Sequence, residues 1–132
     1  MKIVAIICRV LLGLMFLVFG LNYFLHFIPM PPPPAGTPPA AFMAVMYPSG
    51  WLKAQSILQI LGGALVLAGV TLPLGLCILC PITVNILLFH LLLAGGQGIA
   101  AGLGATVLEL VLIYAYRGSF AGILSAKEQP TL

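Results

Sequence analysis

Between Ile3 and Phe27 the only charged side chain is Arg9. A run of this kind is long enough to cross a bilayer as a helix, which needs roughly 20 apolar residues. It is too long for the 7–15-residue apolar core of a secretory leader, and no Ala-x-Ala cleavage site follows it. The first segment therefore reads as an uncleaved membrane span. The rest of the chain agrees. It has 132 residues, 62% hydrophobic and 5% charged. A soluble domain carries about 25% charged residues. This chain could not cover itself with polar surface, and its mean hydropathy of +1.23 places it in lipid. The length allows one domain.

Three further runs follow: about 51–70, about 74–93 and about 103–116, the last being short unless it begins near Gln97. With the first span at about 3–27, the expected architecture is all-α: a polytopic, four-transmembrane-helix bundle. The basic residues set its direction. Lys2 and Arg9 begin span one, Arg117 and Lys127 follow span four, and the loops at 28–50 and 94–102 hold no Lys or Arg. Lys and Arg collect on the cytoplasmic side, so both termini are expected inside the cell membrane. Lys53, at the outer edge of span two, dissents; its long stem can snorkel to the headgroups. Five scattered basic residues make no patch, so the pI near 9.0 does not point to nucleic acid.

The outer loop contains "IPMPPPPAGTPPA", with seven prolines between Pro29 and Pro39. Fixed φ and missing amide donors favour a stiff, polyproline-like connector, with docking of a PPII-binding partner as the other use. "AAFMAVMY" after it suits a short interfacial helix. Pro48, Ser49 and Gly50 then break the chain before Trp51, an anchor at headgroup level. "GGQGIAAGLG" at 95–104 reads as a flexible outer turn rather than a phosphate cradle.

Polar residues inside apolar runs need partners. Helical spacing puts Arg9, Gly13, Phe16 and Gly20 on one stripe of span one, and glycines let a neighbouring helix approach. Gly102, Ala105, Glu109 and Tyr116 share a stripe of span four. Arg9 lies roughly 10 Å from one inner end and Glu109 roughly 12 Å from the other, at 1.5 Å per residue. Equal depth and opposite charge predict a buried ion pair between Arg9 and Glu109. It is either a structural latch or a proton or substrate site; the alternative is that Arg9 snorkels to the nearby inner surface. Nearer the outer face, Asn22, Gln59 and His90 reach comparable depths on three spans and form the candidate ligand-binding group. Their bland alternative is hydrogen bonding between helices. Asn85 lies deeper and points about 140° from His90, toward the backbone loosened by Pro81 or a neighbouring helix.

No catalytic constellation is evident and no metal site is expected, because His26 and His90 lack ligand spacing. "CILC" at 77–80 is a C-x-x-C without a thioredoxin-like setting. Its cysteines, and Cys8, read first as small packing residues and only second as a redox pair. Tyr114 and Tyr116 read as interfacial anchors.

Five stretches in order, "RVLLGLMFLVFGLNYF" (9–24), "FIPMP" (27–31), "QILGGALVL" (59–67), "PITVNILLFHLLL" (81–93) and "ELVLIYAYRGSF" (109–120), resemble the DoxX family, in particular its small four-helix members. The resemblance covers nearly the whole chain. It implies a membrane-embedded four-helix bundle. One departure is Gln59, where the family usually carries a glutamate before the Gly-Gly pair. DoxX-type chains include a membrane subunit of a quinone-reducing thiosulfate oxidoreductase. The resemblance thus implies an accessory, non-catalytic subunit of a membrane redox system. Such a chain would hold a quinone or another apolar molecule and partner a redox subunit, a second copy or lipid. A small proton-coupled transporter working through Glu109 and a membrane scaffold are the rival expectations.

Overall fold

A computed structural model describes residues 1–127 and 129–131. It contains α1 (Lys2–Leu25), α2 (Pro38–Met46), α3 (Trp51–Ala68), α4 (Leu72–Leu88), α5 (Ala100–Ala115) and α6 (Arg117–Phe120). A π-helical turn, Phe89–Leu93, prolongs α4. No strand occurs among the described residues. Among the described residues, three helices are long and apolar enough to cross a membrane: Lys2–Leu25, Trp51–Ala68 and Leu72–Leu93. At 16 residues, α5 spans roughly 24 Å at 1.5 Å per residue, against a hydrocarbon thickness of about 30 Å.

The helix ends follow local chemistry. Leu25 ends α1 because His26 turns left-handed (φ 51°) and returns its N–H to the Asn22 carbonyl. The buried Asn22 side chain then clasps the departing chain: the Ile28 N–H donates to Oδ1 at 2.7 Å, and Nδ2 donates to the Ile28 carbonyl at 3.3 Å. One side-chain amide thus satisfies both backbone groups of Ile28 where the helix can no longer do so. The short helix α2 starts two residues earlier than "AAFMAVMY", because Pro38 and Pro39 occupy its first turn, where a missing N–H costs nothing. Phe42 of α2 packs on Phe89 with ring centroids 5.0 Å apart, which seats α2 on the π turn.

α1 packs along α3, α3 along α4, α4 along α5, and α5 returns against α1. Glycines set the closest seam. A Cβ at Gly13 would stand 2.7 Å from the Leu67 Cβ, and one at Gly20 would stand 2.9 Å from Ile60 Cγ1. Rising numbers on α1 meet falling numbers on α3, so these helices are antiparallel. At Gly63 the obstacles are backbone: the Leu17 amide nitrogen at 2.9 Å and the Gly13 carbonyl oxygen at 3.0 Å. Small residues on facing stripes bring helices into contact through van der Waals packing, the main attraction available in lipid. Leu12, Phe16, Val66, Leu76, Leu79 and Leu112 fill the interior behind this seam. Ile3, Ile7, Leu11, Val84, Leu88, Val107 and Leu110 face outward. An exterior this apolar suits hydrocarbon rather than water.

Candidate functional site

The interior acid is Glu109 of α5, 4% exposed. Its partner is Thr83 of α4, whose hydroxyl lies 2.6 Å from Oε1 and 3.1 Å from the Leu79 carbonyl. A hydroxyl has one proton and two lone pairs. It can donate to a carboxylate, or donate to Leu79 while accepting from a carboxylic acid. The same geometry therefore serves Glu109 in both protonation states. Cys80, three residues before Thr83, shares its helix face and is half-buried. Cys77, one turn earlier, is exposed on the outside of α4.

The expected Arg9–Glu109 ion pair is not made among the described residues. The Arg9 guanidinium lies instead over the left-handed turn that ends α3: a Cβ at Gly69 would stand 2.5 Å from Nη1. Arg9 Nε is buried there without a hydrogen-bond partner. The physical reason is twofold. A long side chain can lean toward its end of the helix, and the last carbonyls of α3 make that turn the negative end of a helix dipole. The depth arithmetic says nothing about direction around the helix axis, and α4 supplies the group that meets Glu109.

Asn22, Gln59 and His90 do not form a hydrogen-bonded group. Asn22 is committed to Ile28. Gln59 is buried on α3 against Gly20 of α1. His90 Nδ1 lies 2.9 Å from the Ile86 carbonyl of its own helix. That contact puts the proton on Nδ1, where it is donated, and leaves Nε2 as an acceptor in the neutral ring. The ring sits under the glycine loop, 3.2 Å from where a Gly98 Cβ would be. The Gly96 N–H caps the His90 carbonyl at 2.7 Å. His90 thus lies in the π turn, where the 100° step of an α-helix no longer predicts direction.

A second polar contact between helices involves other residues. Asn85 Nδ2 of α4 donates to Gln55 Oε1 of α3 at 3.3 Å. Both amides line a groove of about 340 Å³ with Trp51, Ala54, Leu58, Pro81 and Ile82. Asn85 thus finds its partner on a neighbouring helix. Gln55 carries the available signal in the sequence: an amide one turn from the end of an apolar helix, four residues before Gln59. Among the described residues no group of three or more His, Cys, Asp or Glu is placed to hold a metal ion. Compared with known proteins, the chain matches no family model, no curated protein and no solved structure.

Proposed function

We propose that this chain is a DoxX-like, four-span bundle of the cell membrane, with both termini cytoplasmic. In this reading it serves as an accessory subunit of a redox system by holding a quinone-type molecule in the α3–α4 groove. The observation that carries the reading is the Gln55–Asn85 pair. Asn85 spends one N–H on Gln55 Oε1, which leaves the Gln55 Nε2 hydrogens and Asn85 Oδ1 available. A quinone carbonyl needs a donor, and a quinol hydroxyl needs an acceptor; two amides offer both without charge. The other lining residues are predominantly apolar, as in most small-molecule sites, and the volume lies at the low end of their range of about 300–1,000 Å³. The ligand would reach such a site through the lipid.

Trp51 is the single tryptophan of the chain and lines the groove, so quinone binding has a built-in reporter. Decylubiquinone added to the protein in nanodiscs should quench Trp51 fluorescence saturably. Asn85→Leu should raise the half-saturation concentration about tenfold, the equivalent of one polar contact of about 1.4 kcal/mol. Identical, unsaturable quenching in the two proteins would mean collision in the bilayer and no site. The orientation has its own check. Reporter fusions at residue 40 and after Lys127 should read outside and inside, respectively; an inside signal at residue 40 rejects the topology.

A second reading, a small proton-coupled transporter, is favoured by one observation. Glu109 is hydrogen-bonded to a neutral hydroxyl rather than paired with Arg9, so its proton is not held off by a fixed cation.

A further inference from the structure

The Arg9 side chain crosses from α1 to the turn between α3 and α4. Measured from the place of a Gly69 Cβ, Cδ is 3.8 Å away, Cζ 3.2 Å and Nη1 2.5 Å, so the head of the side chain leads toward the turn. Behind it, Nε is the one buried side-chain nitrogen or oxygen without a hydrogen-bond partner among the described residues. Glu109, the one acid among those residues, is engaged by Thr83 instead. The turn adds donors of its own. Gly69 and Thr71 are left-handed, at φ 73° and 44°, and both are exposed. Thr71 is the N-cap of α4, yet its hydroxyl makes no capping bond and the first turn of α4 holds no acid. The first N–H groups of a helix have no partner within it and favour an anion. Across the turn the end of α3 and the start of α4 oppose one another as dipoles, each worth about half a charge, so the full charge of Arg9 decides the sign. The Cα atoms of Gly69 and Thr71 are at most about 7.6 Å apart, two steps along the chain. A cation and an uncapped helix start therefore flank one short turn. Its depth is fixed by α3, which has 18 residues. That is roughly 27 Å of helix against about 30 Å of hydrocarbon, so residue 69 lies at headgroup level when α3 spans the bilayer.

We propose that the Arg9 guanidinium and the turn at 69–71 form a binding site for a phosphate group, with the uncapped N–H groups of α4 as further donors. The ligand is a phosphate anion with free oxygens: the headgroup of an anionic phospholipid, which already lies at this depth, or inorganic phosphate from the water. The inference rests on the placement of the chain in a membrane and is independent of the quinone groove. A guanidinium presents paired N–H donors in one plane, and these match two phosphate oxygens as an ammonium cannot. With Nη1 foremost, the outer edge of that plane meets the ligand while Nε and the stem stay against the protein. Basic pockets between spans are a recurring seat for anionic headgroups. A phosphate held here neutralises a guanidinium that no described acid neutralises, and it ties α1 to the turn that joins α3 and α4. Arg117 is differently placed. Its Nη1 donates to the Tyr114 carbonyl at 2.9 Å, and its guanidinium lies 4.5 Å from the centre of the Tyr114 ring. It carries the same charge without the turn, and so serves as the control.

The test uses the full chain, delipidated in detergent, with phosphatidylglycerol, phosphatidylcholine or inorganic phosphate added back. Native mass spectrometry counts the molecules bound, and the thermal midpoint reports folding and binding together. The expected result is one phosphatidylglycerol held at least about tenfold more tightly than phosphatidylcholine, whose own choline already neutralises its phosphate. Arg9→Gln should weaken that binding at least about tenfold, the loss of a charge-assisted hydrogen bond. Arg9→Lys keeps the charge without the planar fork and should fall between the two. Arg117→Gln should bind as the unchanged protein does. A preference for phosphatidylglycerol with no response to inorganic phosphate assigns the site to lipid. A midpoint raised by inorganic phosphate in the unchanged protein, but not in Arg9→Gln, assigns it to the free anion. No preference between the two lipids, together with no response to inorganic phosphate, overturns the site. Equal losses in Arg9→Gln and Arg117→Gln reduce the effect to general attraction of charge and also overturn it, as does undiminished binding in Arg9→Gln. Should Arg9→Gln fail to fold, Arg9→Lys decides: undiminished binding there overturns the guanidinium pairing. None of these outcomes touches the quinone groove, which Trp51 quenching reads separately.

Discussion

Gly63→Ala lowers the thermal midpoint of the protein in detergent, while Gly104→Ala leaves it unchanged or raises it. Both replacements add the same methyl group to a helix, and both gain helix propensity of up to about 1 kcal/mol. Surroundings decide the sign. At Gly63 the new carbon would stand 2.9 Å from the Leu17 amide nitrogen and 3.0 Å from the Gly13 carbonyl oxygen. These are backbone atoms, with no rotamer through which to retreat. The α1–α3 seam must open along its length, and the neighbouring contacts at Gly13 and Gly20 loosen with it. Overpacking of this kind costs typically about 1–3 kcal/mol, which exceeds the gain in propensity. At Gly104 nothing lies within 4 Å, so the propensity gain stands alone. Equal midpoints for the two variants would show that α1 and α3 are not held at this glycine seam.

The helices were legible because a bilayer demands one thing above all, an uninterrupted apolar run, and composition reports that directly. Their ends were less so. Span one stops at Leu25 rather than Phe27 because Asn22 can bond the Ile28 backbone. That is a three-dimensional arrangement of an asparagine otherwise read as part of a ligand site. Contacts between helices were harder still. Residue counting gives depth but not which neighbour a side chain meets, so Arg9 and Glu109 matched in depth and yet are not joined. Gln55 and Gln59 share a face by spacing. Only the packing reveals that Gln59 lies against Gly20 of α1 while Gln55 meets Asn85 of α4. The π turn at Phe89–Leu93 defeats a helical wheel outright, because its hydrogen bonds step five residues, as from Ala94 N–H to the Phe89 carbonyl, rather than the four of an α-helix, and no residue type announces it.

Glu109 tests the interior of α5 by a mutant cycle. Thr83→Val removes the hydroxyl 2.6 Å from Oε1 and leaves a buried carboxyl group short of a partner, at a cost of about 1–3 kcal/mol. Glu109→Leu alone strands the Thr83 hydroxyl less severely, because the Leu79 carbonyl at 3.1 Å still accepts its proton. The double variant, Thr83→Val with Glu109→Leu, should therefore be more stable than the sum of the two losses by about 0.5–3 kcal/mol, the range of coupling for residues in direct contact. Arg9→Leu provides the contrast. Its guanidinium lies over Gly69 rather than against Glu109, so combining Arg9→Leu with Glu109→Leu should give losses that add within about 0.5 kcal/mol. The two cycles discriminate sharply between a hydrogen bond across α4–α5 and an ion pair across α1–α5. Additivity at Thr83 together with strong coupling at Arg9 would reverse the assignment and restore the charged latch that equal depth suggests. Coupling at Thr83 alone would mean that Glu109 is held by a neutral hydroxyl, which leaves its proton free to move.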